Sequence, residues 1–134
     1  MQRACEKFLS LMSVELNDLE EHIDDLICQT LDRYEREEIS EHVCLSNLAV
    51  FRQEKHAFGH FEGSLSRMRS NEYADIPELV MALKSMLREE TARFDLSEAA
   101  CHFAEHKMRR IEDYISNTHW SDEKQAYFKS IDLN

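Results

Sequence analysis

Apolar side chains recur along the first part of the chain at alternating steps of three and four residues, at Leu9, Met12, Leu16, Leu19, Ile23 and Leu26. This spacing places the side chains on one face of an α-helix. After a slip in phase, the stripe continues from Ile23 through Ile27, Leu31 and Tyr34. We therefore predict a long first helix from about Arg3 to Arg36, with an apolar face that needs a partner.

Four further segments have helical periodicity or helix-start signals. A second long helix is predicted to begin near Ser40, which is a suitable N-cap, and a third near Asp75–Pro77. The sequence Asp95–Glu98 resembles a capping box in which Asp95 would cap a fourth helix. Ser121 or Asp122 could begin a short fifth helix. The predicted buried side of the fourth helix comprises Ala99, Ala100, Phe103, Ile111, Tyr114 and Ile115.

Turn-forming residues are scarce, since the 134 residues include Gly 2 and Pro 1. Sheet folds need many Gly- and Pro-rich reversals, so this composition favours an all-α fold. We expect an antiparallel four-helix bundle made of two long N-terminal helices and two further helices, with the short fifth helix at the C-terminus. Residues 1–134 are expected to form a single domain.

The net charge of −11 limits the classes of partner. Nucleic acids and anionic membranes both attract basic surfaces, so we expect neither as a ligand. The acidic side chains are concentrated at the N-terminus, where residues 1–41 hold 12 acids and 4 bases. An acidic first helix indicates a protein partner with a basic surface.

Four cysteines, Cys5, Cys28, Cys44 and Cys101, are widely spaced and form no Cys-x-x-Cys pair. The first twelve residues include charged side chains and lack the apolar core of a secretory leader. We therefore expect a cytoplasmic protein with reduced thiols that serve as small buried hydrophobes. An alternative role for a cysteine is a catalytic or metal-bound thiolate.

Two histidine pairs have the i, i+4 spacing that can chelate a transition metal on a helix: His56 with His60, and His102 with His106. A metal- or cofactor-binding bundle is therefore an alternative function, with these four residues as ligands. Helical-wheel positions place both pairs away from the predicted core. The preferred interpretation is that they face solvent or a partner and that no cofactor is bound.

Both glycines of the protein, Gly59 and Gly63, lie four residues apart in the second helix, where each costs about 1 kcal/mol relative to Ala. They share a face and could admit a close helix neighbour, so we predict an interface there and a homodimer. The sole tryptophan, Trp120, either anchors the fifth helix or contributes to a partner surface.

No Gly-rich phosphate loop, nucleophile elbow or Cys/His nucleophile pattern is present. The leading hypothesis is a non-enzymatic helical protein-protein interaction module: an adaptor, a small chaperone or a regulatory subunit. A second alternative is a histidine phosphotransfer domain with His60 as the acceptor. Against it, Glu62 follows His60 in the sequence where a phosphate-attracting cation is wanted.

Overall fold

The computed structural model describes residues 2–117, which fold into α-helices joined by short connections and contain no strand. The elements are α1 (Gln2–Glu35), α2 (Glu41–Leu65), a 3₁₀ turn (Ser70–Glu72), α3 (Ile76–Arg93) and α4 (Glu98–Asn117). The prediction of an all-helical protein is confirmed. The predicted fifth helix and Trp120 lie outside the described residues.

Polar side chains begin α2 and α3 at the positions predicted from the sequence. Ser40 Oγ accepts a hydrogen bond from the backbone N–H of Val43 at 3.2 Å. Asp75 Oδ1 accepts one from the backbone N–H of Glu78 at 3.0 Å. Each bond satisfies a backbone donor that has no partner within the first turn of a helix, so these caps fix where the helices start.

Residues with positive φ end α1 and α3. Glu37 has φ 63° and Asp95 has φ 51°. In each case the next residue donates its N–H back across the helix end, from Glu38 to the Arg33 carbonyl at 2.9 Å and from Leu96 to the Thr91 carbonyl at 3.0 Å. These are Schellman motifs built without glycine. Two of the turns between helices are therefore formed without glycine, in agreement with its scarcity in the sequence.

The prediction that Asp95 caps α4 is wrong. Asp95 is the left-handed residue that ends α3. The cap of α4 is Ser97, whose Oγ accepts a hydrogen bond from the Ala100 N–H at 3.1 Å. In this short connection, Asp95 ends α3 and Ser97, two residues later, begins α4.

One hydrophobic core joins all four helices, which contact one another in every pairwise combination. Its largest fully buried side chains include three phenylalanines, Phe8 on α1 and Phe58 and Phe61 on α2. From α3 the core receives Leu79, Leu83 and Leu87. The buried sides of α1, α2 and α3 therefore face a common interior.

The predicted buried face of α4 is wrong in its orientation. Phe103 and Tyr114 were expected inside, but they are 48% and 42% exposed. The buried positions are Ala100, Cys101, Ala104, Glu105, Met108 and Ile111. The difference arises because Glu105 is buried beside Arg88 of α3, whose Nη2 lies 3.3 Å from its Oε2. A helical wheel that uses only apolar residues cannot predict a buried carboxylate, so it placed the centre of the buried face too close to Phe103.

Candidate functional site

The four histidines proposed as metal ligands lie on α2 and α4 in different environments. His56, His102 and His106 are exposed, whereas His60 is half-buried. Among residues 2–117, no group of three or more His, Cys, Asp or Glu side chains is arranged to hold a metal ion. The structure therefore does not bring the two pairs together into one ligand set.

His60 is directed towards α3 rather than towards solvent. Its Nδ1 lies 2.7 Å from Glu90 Oε1, and the two side chains are 26% and 17% exposed. The ring also packs on Phe94 with a centroid distance of 4.5 Å and an interplanar angle of 43°. A carboxylate can only accept a hydrogen bond, so Nδ1 carries the shared proton; when the ring is neutral, Nε2 keeps its lone pair.

A cleft of about 370 Å³ adjoins His60 between α2 and α3. It is lined by two arginines, Arg67 and Arg93, together with Ser64 and Glu89. Arg67 Nη2 donates to Ser64 Oγ at 3.1 Å. The guanidinium carbon of Arg93 lies 5.2 Å from the centroid of Phe94. The imidazole thus borders an open space that holds two cationic side chains, Arg67 and Arg93, and two carboxylates, Glu89 and Glu90.

A pair of carboxyl groups joins α1 to α2 near Gly59. Glu62 shares a hydrogen bond with Glu20, and burial, this hydrogen bond and the negative charge of Glu20 raise the pKa of Glu62 from 4.5 to about 7. A Cβ atom added to Gly59 would lie 3.2 Å from Glu20 Oε1. Gly59 therefore makes room for a carboxyl group of its own chain. Glu62 faces α1, so it does not border the cleft beside His60.

The two glycines of the predicted interface have different surroundings. The position of a Cβ on Gly63 has no heavy atom within 4 Å, so no neighbour requires a glycine there. Only Gly59 is a site of close approach within the described chain. Trp120, the third predicted interface residue, lies outside the described residues.

A second polar cluster lies between α3 and α4. Cys101 Sγ is 3.6 Å from Glu105 Oε1, and Arg88 binds both oxygens of that carboxylate at 3.5 and 3.3 Å. Burial raises the pKa of the Cys101 thiol, and the negative charge of Glu105 raises it further. Burial thus favours the protonated form of the thiol, which is a poor nucleophile.

The cysteines are unpaired, and three of the four are buried, as predicted. Cys5, Cys44 and Cys101 lie inside, whereas Cys28 is exposed on α1. The prediction of a buried position is therefore wrong for Cys28. Cys28 lies two residues before the buried Thr30, about 200° around α1, so its side chain is on the outward side of the helix.

The C-terminal part of α1 and the N-terminal part of α2 extend beyond the common core. The core cluster contains no fully buried residue between Ile23 and Ala57, and Leu26 and Phe51 are only partly buried against it. We call residues 24–55 the projection. It consists of the C-terminal part of α1, the turn and the N-terminal part of α2.

Both helices of the projection carry apolar side chains that are exposed or only partly buried. We call these side chains together the projection face, and its members are Ile27, Leu31, Tyr34, Val43, Val50 and Phe51. Four of them are large exposed hydrophobics: Leu31 at 42%, Tyr34 at 41%, Val43 at 41% and Val50 at 50%. Clustered exposed apolar side chains mark a binding surface more strongly than single ones do.

The projection face continues the side of each helix that is buried in the core. Eighteen residues make about five turns, so Val43 lies on the same side of α2 as Phe61, and Tyr34 on the same side of α1 as Leu16. Phe61 and Leu16 are fully buried. These sides are therefore covered in the core, whereas in the projection Tyr34 and Val43 are exposed and the buried residues are Thr30, Cys44 and Leu48.

Comparison with protein-family models, with curated proteins and with solved structures gives no match to this chain. Among the described helices, none is both long enough and apolar enough to cross a membrane.

Two features of these sites were missed from the sequence. The stripe of Ile27, Leu31 and Tyr34 was recognised, but the length difference between the helices that leaves it uncovered was not used. Glu90 and Arg93 were not connected with His60, because they lie on another helix. The predicted helix bounds already indicated the uncovered stripe. The partners of His60 could be found only from the packing of α3 on α2.

Proposed function

We propose that the chain is a non-enzymatic helical protein-protein interaction module that binds an amphipathic helix of another protein on the projection face. The observation that carries this proposal is the run of exposed apolar side chains on two neighbouring helices of an otherwise acidic segment. An adaptor, a small chaperone or a regulatory subunit would act in this way.

The proposal includes an antiparallel arrangement of the four helices. Asp24 on α1 bonds Lys55 on α2 at 2.6 Å, and Glu20 lies beside Gly59. Residue numbers thus fall along α1 as they rise along α2. Lys107 of α4 lies 3.3 Å from Glu15 of α1, closer to the N-terminus than either of these contacts. Such pairings support an up-down-up-down bundle.

Helix lengths support a projection that stands clear of this bundle. α1 has 34 residues and α2 has 25, against 18 in α3 and 20 in α4. At 1.5 Å per residue, α1 is about 51 Å long and α3 about 27 Å. Since Glu90 near the end of α3 reaches His60 in the C-terminal half of α2, the N-terminal half of α2 is left without α3 beside it.

The dimensions of the projection face fit a helix. Ile27 and Tyr34 on α1, like Val43 and Val50 on α2, are seven residue steps apart, or about 10 Å. A partner helix with apolar side chains at i, i+4 and i+7 covers about the same length. Tyr34 supplies the large, amphipathic side chain that is typical of an interface anchor.

Charge indicates which helix would bind. The projection holds eight acidic and four basic side chains, and the whole chain has a net charge of −11. A second copy of the chain would bring like charges together, which opposes self-association through this face. A partner helix with Lys or Arg flanking its apolar stripe is attracted, and salt weakens that attraction.

The last described helix, α4, ends far from the projection face. Burial raises the pKa of Cys5 near the start of α1, and Asp75 and Glu78 at the start of α3 contribute to the rise, so these helix starts are neighbours. In the proposed bundle, α4 returns to that end. Leu31 is 26 residues further along α1 than Cys5, or about 40 Å away.

The test uses a defined probe and the full chain. The probe is a fluorescent peptide of about 18 residues with Leu at i, i+4, i+7 and i+11 and Lys at the other positions. We expect Val50→Ser to weaken binding of the peptide at least about fivefold, because covering the exposed half of a Val side chain contributes about 1 kcal/mol to the binding free energy. Fluorescence anisotropy measures the affinity.

The matched control is Val14→Ser on α1, since Val14 is 55% exposed and Val50 is 50% exposed. Val14→Ser should leave the affinity unchanged. Equal losses in the two variants, or equal binding of a peptide with Glu in place of Lys, would contradict the proposal. Sedimentation of the chain alone tests the homodimer alternative: a dimer that Val50→Ser dissociates would assign this face to a second copy.

A further inference from the structure

We propose that His60 is a phosphoryl acceptor that reacts through its Nε2 atom, at a site independent of the projection face. The site rests on one juxtaposition: an imidazole held by a carboxylate from a second helix, beside an open cleft with two arginines. The chemical class of donor is a small phosphoryl compound with a labile P–N or P–O–acyl bond.

Glu90 prepares the imidazole for this role. Its Oε1 accepts the Nδ1–H at 2.7 Å, which fixes the ring orientation and leaves the lone pair on Nε2. The contact with Phe94 holds the ring from one side. When Nε2 forms a bond to phosphorus, the ring becomes positively charged, and the carboxylate of Glu90 stabilises that charge.

The cleft supplies partners for the transferred group. Arg67 and Arg93 line it together with the Ser64 hydroxyl. Guanidinium groups bind phosphoryl oxygens through paired N–H donors, so these side chains would offset the added negative charge. Glu89 also lines the cleft and opposes that charge. The objection raised by Glu62 in the sequence does not apply, because Glu62 is paired with Glu20.

With phosphoramidate as donor, the step balances without a further reactant. The lone pair of His60 Nε2 attacks phosphorus, the N–P bond to the ring forms, and the P–N bond of the donor breaks. The donor reacts in its N-protonated form, so the electrons of that bond leave with neutral ammonia. The Nδ1 proton remains between His60 and Glu90, so the product is a phosphoimidazolium paired with a carboxylate.

His56 provides an internal control on the same helix. Its ring centroid is 6.5 Å from that of His60, and the ring is exposed. No carboxylate within the described range 2–117 is hydrogen-bonded to it. Because His56 and His60 share a helix and the same donor in solution, a difference in their rates reports the effect of Glu90 and the cleft.

The experiment incubates the full chain with phosphoramidate and follows each histidine by ³¹P NMR and peptide mass spectrometry. We expect His60 to be phosphorylated at least about tenfold faster than His56. In urea-unfolded protein the two rates should become equal. Equal rates in the folded protein, or phosphate on Nδ1 of His60, would overturn the proposal.

Variants separate the proposed roles. Glu90→Gln should slow the reaction of His60 about tenfold while the reaction of His56 is unchanged, and Glu89→Gln should not slow it. If Glu90→Gln does not fold, Arg93→Gln serves instead, since Arg93 is exposed. Loss of the rate advantage in Arg93→Gln supports the site, and an unchanged rate in whichever of the two variants folds contradicts it.

Discussion

α1 and α2 each pass through two environments. In the four-helix part of the molecule their apolar sides meet α3 and α4, and Leu16 and Phe61 are fully buried. In the projection the same sides carry Tyr34 and Val43, which are each 41% exposed. The residue types are apolar in both regions, so they do not indicate which part is buried. The difference in exposure arises because α3 and α4 are shorter than α1 and α2. An apolar stripe can therefore continue past the core that it helps to form.

The largest expected difference between the two regions is the cost of truncating an apolar side chain. Phe61→Ala should lower the free energy of unfolding by about 3–5 kcal/mol, because it leaves a cavity in the core. Val50→Ala on the projection face should change it by less than about 0.5 kcal/mol. Urea denaturation followed by circular dichroism measures both.

A large loss of stability in Val50→Ala would contradict this contrast between the two regions. A loss of about 2 kcal/mol or more would mean that the projection face is covered in the free protein. A second variant, Val43→Ala, has a similar exposure and should behave in the same way.

The second prediction concerns the boundary between the two regions, where Glu20 and Glu62 share a proton. The folded-state pKa of Glu62 is about 7, against an ordinary value of 4.5. The folded protein therefore binds a proton that the unfolded chain releases between these values. This contribution to stability is fully present below pH 4.5 and is lost as the pH rises through 7.

Glu62→Gln keeps the neutral form at every pH. We expect it to be more stable than the parent at pH 8 by about 1–2 kcal/mol after solvent screening, with little difference at pH 4. Asp18→Asn, which removes an acid from the exposed side of α1, is the control. If both variants alter the pH dependence equally, general charge repulsion is the cause and not the carboxyl pair.

Local sequence rules were sufficient for most of the fold. The spacing of apolar residues predicted the helices, and Ser40 and Asp75 predicted two of their starts, because caps and periodicity are properties of neighbouring residues. Asp95 was misplaced because its backbone is set by the end of α3. The face of α4 was misjudged because Glu105 is paired with Arg88, which is 17 residues away.

The candidate sites were less accessible from the sequence for the same reason. His60 was recognised through its pairing with His56, but its bonded partner is Glu90 on α3, 30 residues away. Gly59 was interpreted as a contact for a helix backbone, whereas the atom beside it belongs to the Glu20 side chain. Both relations depend on how helices pack, which a single-helix wheel does not contain.

The two glycines allow a further comparison within one helix, because a Cβ added to Gly59 meets the Glu20 carboxyl and one added to Gly63 meets no atom within 4 Å. Gly63→Ala should raise the free energy of unfolding by about 1 kcal/mol, since alanine is the better helix former and the site is open. Gly59→Ala should gain less or destabilise, because its Cβ would displace the Glu20 carboxyl. Thermal unfolding ranks the two variants, and equal gains would contradict the close approach at Gly59.

The smallest expected effects come from the left-handed residues, one in each region. Glu37 lies in the turn of the projection and Asp95 at the end of α3. Glycine relieves the steric cost of positive φ, so Glu37→Gly should stabilise its motif by about 0.5–1 kcal/mol. Asp95→Gly should gain less, since Asp tolerates this conformation better than Glu does.

The location of the gain from Glu37→Gly then reports how the regions are coupled. If the projection unfolds together with the core, the urea midpoint rises. If the projection opens separately, only the hydrogen-exchange protection of amides near Leu31 and Tyr34 rises, while the midpoint stays constant. We expect the second result, because residues 24–55 contribute no fully buried side chain to the common core. A midpoint shift as large as that of Gly63→Ala would show instead that the two regions form one cooperative unit.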